Sequence, residues 1–202
     1  MEARTKKLTS DQVDMLAEVF NMGMGQSANA ISALSGVEHE VFFGVPDVDL
    51  MSREEFLGLF CKDSYTGMIV QEYHGELEGK ALMFYPELSG KELARVLIGS
   101  DLPADQIEVL ESDALTEVGN IFINSSIACL GNFLDTDIST EIPQIVYNTN
   151  IVSDFFWEDD QIIHLNAPFE IEHLGIKGMV TFVVDNGTTK RLLEVIDKLL
   201  EE

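Results

Sequence analysis

Two short stretches of this chain place a carboxylate and a carboxamide three residues apart in the same setting. They are Asp14-Met-Leu-Ala-Glu-Val-Phe-Asn21 and Asp113-Ala-Leu-Thr-Glu-Val-Gly-Asn120. A Glu and an Asn at i and i+3 of a helix share one face and can act on one ligand. The Glu supplies fixed negative charge that suits a cationic group. The Asn supplies a donor and an acceptor and never has to change protonation state. Neither is a nucleophile without a base partner, and no Ser/His/Asp or Cys/His set is visible. The chemistry open to these residues is therefore positioning and electrostatics. Single Glu-x-x-Asn pairs decorate helices everywhere; the recurrence singles these out. Asn is a poor helix-interior residue, so its presence in both stretches needs a reason.

Helical geometry places these side chains. With Glu18 at zero and 100° per residue, Val13, Leu16, Phe20, Met24, Ile31 and Leu34 fall between about 160° and 240°, a core-facing stripe. Glu18 lies nearly opposite that stripe, with Asn21 at about 300°, Gly25 at about 340° and Met22 at about 40°. In the second copy Leu115, Phe122, Ile123, Leu130 and Phe133 form the stripe, and Glu117 and Asn120 point away from it. Ile121 matches Met22. An apolar residue beside an exposed polar pair suits a docking surface, so Met22, Gly25 and Ile121 are the expected partner-binding residues.

The two stretches belong to a longer self-similarity. A shift of 99 residues aligns them and also brings Ser27 onto Ser126, Gly79 onto Gly178, Lys91 onto Lys190, Leu93 onto Leu192 and Val96 onto Val195. One register serving segments so far apart implies two halves, about 10–99 and 109–198, joined by Ser100-Asp-Leu-Pro-Ala-Asp105. Residues 1–202 then form a single domain, a duplicated pseudo-two-fold unit.

Each half reads alike. Thr9 and Gln12 form a capping box for a helix running to about Leu34. Strands are expected at Glu40–Val45, Met68–Tyr73 and Lys80–Tyr85, the last two bracketing a loop at His74–Gly79, and a helix closes the half at Ser89–Gly99. The second half supplies Glu111–Leu134, Gln144–Val152, Ile162–Glu172, Lys177–Asp185 and Thr188–Leu200. The fold class is α+β, with a long helix, antiparallel strands and a closing helix in each half.

Composition limits the partners. The 202 residues carry 12 Lys plus Arg against 36 Asp plus Glu, a formal charge of −24. Such a surface repels nucleic-acid phosphates and anionic membranes. Cys61 and Cys129 stand far apart and imply neither a disulfide framework nor a zinc site. The polar start Met1–Lys7 is not followed by the apolar core of a signal peptide, and no run approaches a membrane span. A soluble, cytoplasmic protein is expected.

The doubled Asp-x-Leu-x-Glu-Val-x-Asn, in a chain of this length and element order, resembles the CheC/CheX/FliY family of chemotaxis phosphatases, and most closely its CheC branch. The resemblance implies that Glu18 with Asn21, and Glu117 with Asn120, are the catalytic residues acting on a phosphorylated CheY-type response regulator. It implies that the phospho-aspartate and its Mg²⁺ belong to that partner, so the chain needs no cofactor of its own. Hydrolysis of an acyl phosphate needs an in-line water and charge compensation, and an Asn can hold that water as a Gln does in GTPases. The Glu would pair with a partner lysine. The resemblance also allows a non-catalytic alternative, sequestering phosphorylated CheY or pairing with the receptor deamidase CheD. A structural role in the flagellar switch, as for FliY, would need a further domain. There are departures: the family has Gly before the Asn, as Gly119 does, where the first copy has Phe20. The first copy keeps Gly23-Met-Gly25, where the second has Phe122-Ile-Asn124. Both sites are expected to form, with unequal activity.

Other candidates carry less. His39, His74, His164 and His173 are scattered, and no metal site is expected. Asp47-Val-Asp49 and Trp157-Glu-Asp-Asp160 read as acidic loop or strand-end residues, and Phe155-Phe156-Trp157 as core. The internal pair makes a monomer the expected state, with a dimer open to it if a strand edge is exposed.

Overall fold

The structure is a computed structural model and describes residues 7–35, 41–60, 65–86, 90–98, 103–146, 162–172, 175–184 and 186–201. Its elements run α1 (Ser10–Ser35), β1 (Val41–Phe43), β2 (Asp47–Met51), α2 (Arg53–Phe60), β3 (Tyr65–Gly75), β4 (Gly79–Pro86) and α3 (Gly90–Ile98). Then follow α4 (Ala104–Phe133), β5 (Ile138–Thr140), β6 (Gln144–Val146), β7 (Ile162–Ile171), β8 (Ile176–Val184) and α5 (Asn186–Leu200). This is an α+β fold with every strand pairing antiparallel.

One sheet runs β1-β7-β8-β4-β3-β5, with β2 also on β7 and β6 also on β3. The order reads the same from either end when the elements of 10–98 are exchanged with those of 104–200. The short strands cross over: β1 and β2 pair with the hairpin of the other segment, as do β5 and β6. Gly79 and Gly178 each lie beneath an aromatic ring of the paired strand, Tyr73 and Phe169, where a Cβ would collide. The 99-residue register that aligns these glycines thus falls on equivalent packing.

The strand alternation sorts two apolar layers. Ile69, Tyr73, Ala81, Met83, Leu165, Phe169, Val180 and Phe182 face α1, α3, α4 and α5 in the main core. Met68, Val70, Leu82, Phe84 and Val183 face the other way, against Phe56 of α2. The capping box forms: the Thr9 amide donates to Gln12 Oε1 at 2.9 Å, and the Gln12 amide to Thr9 Oγ1 at 3.2 Å. Gln12 Nε2 then donates to Asp197 Oδ1 at 2.6 Å, tying the start of α1 to α5.

Several boundaries differ from expectation. The helix α4 begins at Ala104, not Glu111, and takes in the end of the expected linker. Asp47-Val-Asp49, expected in a loop or at a strand end, opens strand β2, with Val48 buried and the two acids exposed on its other face. The strand β3 runs through His74 to Gly75, so the hairpin loop is shorter than His74–Gly79. The helix α2 and strand β5 are additional, being too short for a clear period. The expectations for His39, His173, Cys61, the Phe155–Trp157 cluster, the acids at 158–160 and the strand beyond Val146 lie outside the described residues.

His164 is buried on β7, its ring edge-on to Phe56 at 5.2 Å. Desolvation lowers its pKa to about 4, only partly opposed by the charge of Asp47. The folded form therefore keeps the ring neutral, while the unfolded chain takes up a proton below the ordinary value near 6.5. Stability from this group is complete above pH 6.5 and is lost as pH falls toward 4. Between pH 7 and pH 5 the wild type should lose about 2 kcal/mol more than His164→Leu, read by urea unfolding. Equal losses in the two proteins would remove His164 as the cause.

Candidate functional site

The helices α1 and α4 cross on one another through small residues. A Cβ on Gly23 would come within 2.7 Å of Ser126 Cα, so the backbones touch there. The buried Ser27 donates from Oγ to the Phe122 carbonyl at 3.0 Å and to its own Gly23 carbonyl at 3.0 Å. Exchanging residues i and i+99 converts the Gly23–Ser126 contact into the Phe122–Ser27 contact. The crossing turns the Glu and Asn of each helix away from the shared core.

On α1, Leu16, Val19, Phe20, Met24 and Ile31 are buried, while Glu18, Asn21, Met22 and Gly25 are exposed. Asn21 makes no side-chain hydrogen bond among the described residues. A Cβ on Gly25 would meet nothing within 4 Å. This face is open, with both ends of the Asn21 amide free to meet a ligand.

On α4, Leu115, Phe122, Ile123 and Leu130 are buried and Glu117 is exposed. Asn120 is half-buried, and its Oδ1 accepts from Asn124 Nδ2 at 2.6 Å. Asn124 Oδ1 in turn accepts from Gln71 Nε2 at 3.0 Å, and the same Nε2 donates to the Glu141 carbonyl at 2.7 Å. Ile121, expected as a docking residue, is half-buried and packs against the main core. The second face is thus drawn down toward β3, and the first is not.

The residues preceding the two asparagines explain that difference. Gly119 sits over Ile69 of β3, whose Cγ2 would lie 2.6 Å from an added Cβ, so α4 lies close on its strand. Phe20, at the matching place, is buried edge-on to Phe182 with ring centroids 4.7 Å apart, so an aromatic ring stands where α4 has none. Both solutions leave the following Asn off the apolar stripe.

A groove of about 570 Å³ runs beside the first pair. Its rim carries Asp11, Asp14 and Glu18, and its floor includes Met15, Met22 and Leu200. Met22 and Leu200 are 46% and 41% exposed, so apolar surface is available there. In the second half Leu110 and Ala114 stand in place of Asp11 and Met15.

Metal-ligand side chains converge elsewhere. His74 Nε2 lies 3.3 Å from Glu141 Oε1 and 3.9 Å from Glu72 Oε2, on the sheet face turned away from α4. Lys80 already pairs with Glu72. These exposed groups form an ion-pair cluster rather than part of the Glu/Asn faces. Among the described residues no helix is long and apolar enough to cross a membrane.

Sequence reasoning singled out Glu18, Asn21, Glu117 and Asn120 but not the polar relay beneath Asn120. Its signals were Asn124 one turn beyond Asn120, and Gln71 interrupting the inward row of Ile69 and Tyr73.

No family model matches the chain. It is 28% identical over 145 residues to the CheY-P phosphatase CheC of Bacillus subtilis, covering 68% of this chain and 67% of that protein. The crystal structure of Thermotoga maritima FliY superposes with a TM-score of 0.73 at 21% identity, over 95% of this chain and 98% of that one. The CheX of a CheX–CheY–BeF3–Mg²⁺ complex from Borrelia burgdorferi gives a TM-score of 0.57 at 17% identity, over 83% and 98%. At these identities the two structural likenesses speak to fold alone.

Proposed function

We propose that the chain, similar to CheC at 28% identity, is a phosphatase of the CheC/CheX/FliY type that accelerates hydrolysis of the phospho-aspartate of a CheY-type response regulator. The observation that carries this reading is the Glu18–Asn21 pair, exposed on one face of α1, with the Asn21 amide making no side-chain hydrogen bond among the described residues. The Glu117–Asn120 pair on α4 repeats the spacing, with Glu117 exposed and Asn120 half-buried and bonded to Asn124. The name of the Bacillus relative and the CheY in the Borrelia complex support the choice of partner.

In this mechanism the carboxamide aligns a water with the phosphorus. The water oxygen bonds to phosphorus as the bond from phosphorus to the aspartyl oxygen breaks. Inorganic phosphate and a free carboxylate leave, and the water's proton passes to the phosphate. Glu18 and Glu117 anchor a partner lysine, and the regulator brings its own Mg²⁺. The step asks for positioning and charge compensation, which is what these residues can supply.

The groove beside Glu18 gives the first pair a docking surface. Its acidic rim complements a lysine-bearing regulator surface, and its floor can bury apolar side chains of that same regulator. With the second pair silenced by Asn120→Ala, Met22→Glu should raise KM about tenfold with kcat nearly unchanged. A fall in kcat at constant KM would place Met22 in the chemistry instead.

The deciding experiment follows decay of radiolabelled phospho-regulator with the chain present at a small fraction of its concentration. A phosphatase releases many equivalents of phosphate per chain. A sequestering protein gives at most stoichiometric protection, and that result would overturn the reading.

A further inference from the structure

We propose that Asn124 is a positioning residue for Asn120, fixing which end of the Asn120 amide meets the ligand; this rests on the phosphatase reading only for its kinetic consequence. The polarity of the relay follows from its anchor. The Glu141 backbone carbonyl can only accept, so the Gln71 atom 2.7 Å away is its amide nitrogen. That nitrogen also reaches Asn124 at 3.0 Å, so the Asn124 atom facing it is the carbonyl oxygen. The other end of Asn124, its amide nitrogen, then faces Asn120 at 2.6 Å and must meet the Asn120 oxygen. Each amide sets the next, and the direction is imposed by main chain.

Burial makes the anchor firm. Gln71 is 1% exposed, in the inward row of β3 between Ile69 and Tyr73, and its amide nitrogen is held by the Glu141 carbonyl. The relay therefore holds the Asn120 oxygen inward and presents its NH₂ group outward. One oxygen lone pair of Asn120 remains for a water, and the NH₂ meets a phosphoryl oxygen. Among the described residues the first site has no such device. Gly25 occupies the place matching Asn124, has no side chain to lend, and leaves Asn21 free to turn either way. The two sites thus differ in preorganisation, the second braced and the first adaptable.

The test uses the full chain carrying Asn21→Ala, so that only the second site acts. Asn124→Ala is added in one variant and Asn124→Asp in another. Alanine is a better helix former than Asn, so loss of α4 does not explain a defect. The first readout is the side-chain amide signal of Asn120 in ¹⁵N relaxation, which needs no activity. Asn124→Ala should mobilise that group, and Asn124→Asp should turn its NH₂ toward the new carboxylate, visible as a changed exchange rate and shift. The second readout is turnover of the phospho-regulator: kcat should fall about 10- to 100-fold with KM unchanged, as expected for lost alignment. An Asn120 amide equally rigid in Asn124→Ala overturns the inference, whatever the activity. A matched rise in KM with constant kcat also overturns it, because it assigns Asn124 to binding. If the amide is mobilised but the parent chain shows no turnover, the bracing stands and the phosphatase reading fails.

Discussion

Replacing Asn21 and Asn120 together by alanine should abolish the accelerated loss of phosphate from a CheY-type partner while leaving the fold intact. Each side chain lies off its helix's apolar stripe, and neither supports the α1–α4 crossing, which runs through Gly23, Ser27, Phe122 and Ser126. Alanine in a helix is, if anything, more favourable than Asn by about 0.5 kcal/mol. The loss in rate should reach about 100-fold or more, the scale on which a single aligned polar group acts in a preorganised site. Phosphate release measures the first half of this expectation and a circular-dichroism melt the second. Unchanged turnover in the double variant would refute the role of both residues. The single variants rank the two sites, and the braced Asn120 should show the higher kcat of the two.

The largest loss of stability is expected at Phe122, immediately beyond the second pair. Its ring is fully buried, 5.3 Å from Phe43 and 5.3 Å from Phe169, joining α4 to strands β1 and β7. Its backbone carbonyl receives both Ser27 and Ser126 at the helix crossing. Phe122→Ala removes the ring and leaves a cavity that three fixed elements cannot close. It should cost about 3–5 kcal/mol in urea unfolding. A loss below about 1 kcal/mol would mean that the crossing collapses onto the vacancy, contrary to this packing.

Much of this arrangement is legible in the chain because it depends on long periods. The stripe Leu16, Phe20, Met24 and Ile31 marks the buried face of α1, and Thr9 with Gln12 marks its start. The same arithmetic put Glu18, Asn21 and Glu117 outside. It failed where tertiary contact rather than period decides exposure. Ile121 shares Met22's angle, yet α4 is drawn down on Ile69 at Gly119 and carries Ile121 toward the core. The same approach brings Asn124 over Gln71, a meeting of residues 53 apart that no local pattern encodes. The short elements β2, α2 and β5 were missed because a few residues cannot display a period, and a single buried Val48 between Asp47 and Asp49 does not separate a strand end from a loop.

The exchange of short strands has a consequence for how the molecule can come apart. Residues 10–98 made alone would present the outer edge of β3 with nothing to pair, and β1 and β2 with no hairpin to join. The simplest remedy for such a fragment is to trade strands with a twin of itself. Severing the backbone between Ile98 and Pro103 should therefore yield pieces that self-associate when made singly and that pair with each other when refolded as a mixture.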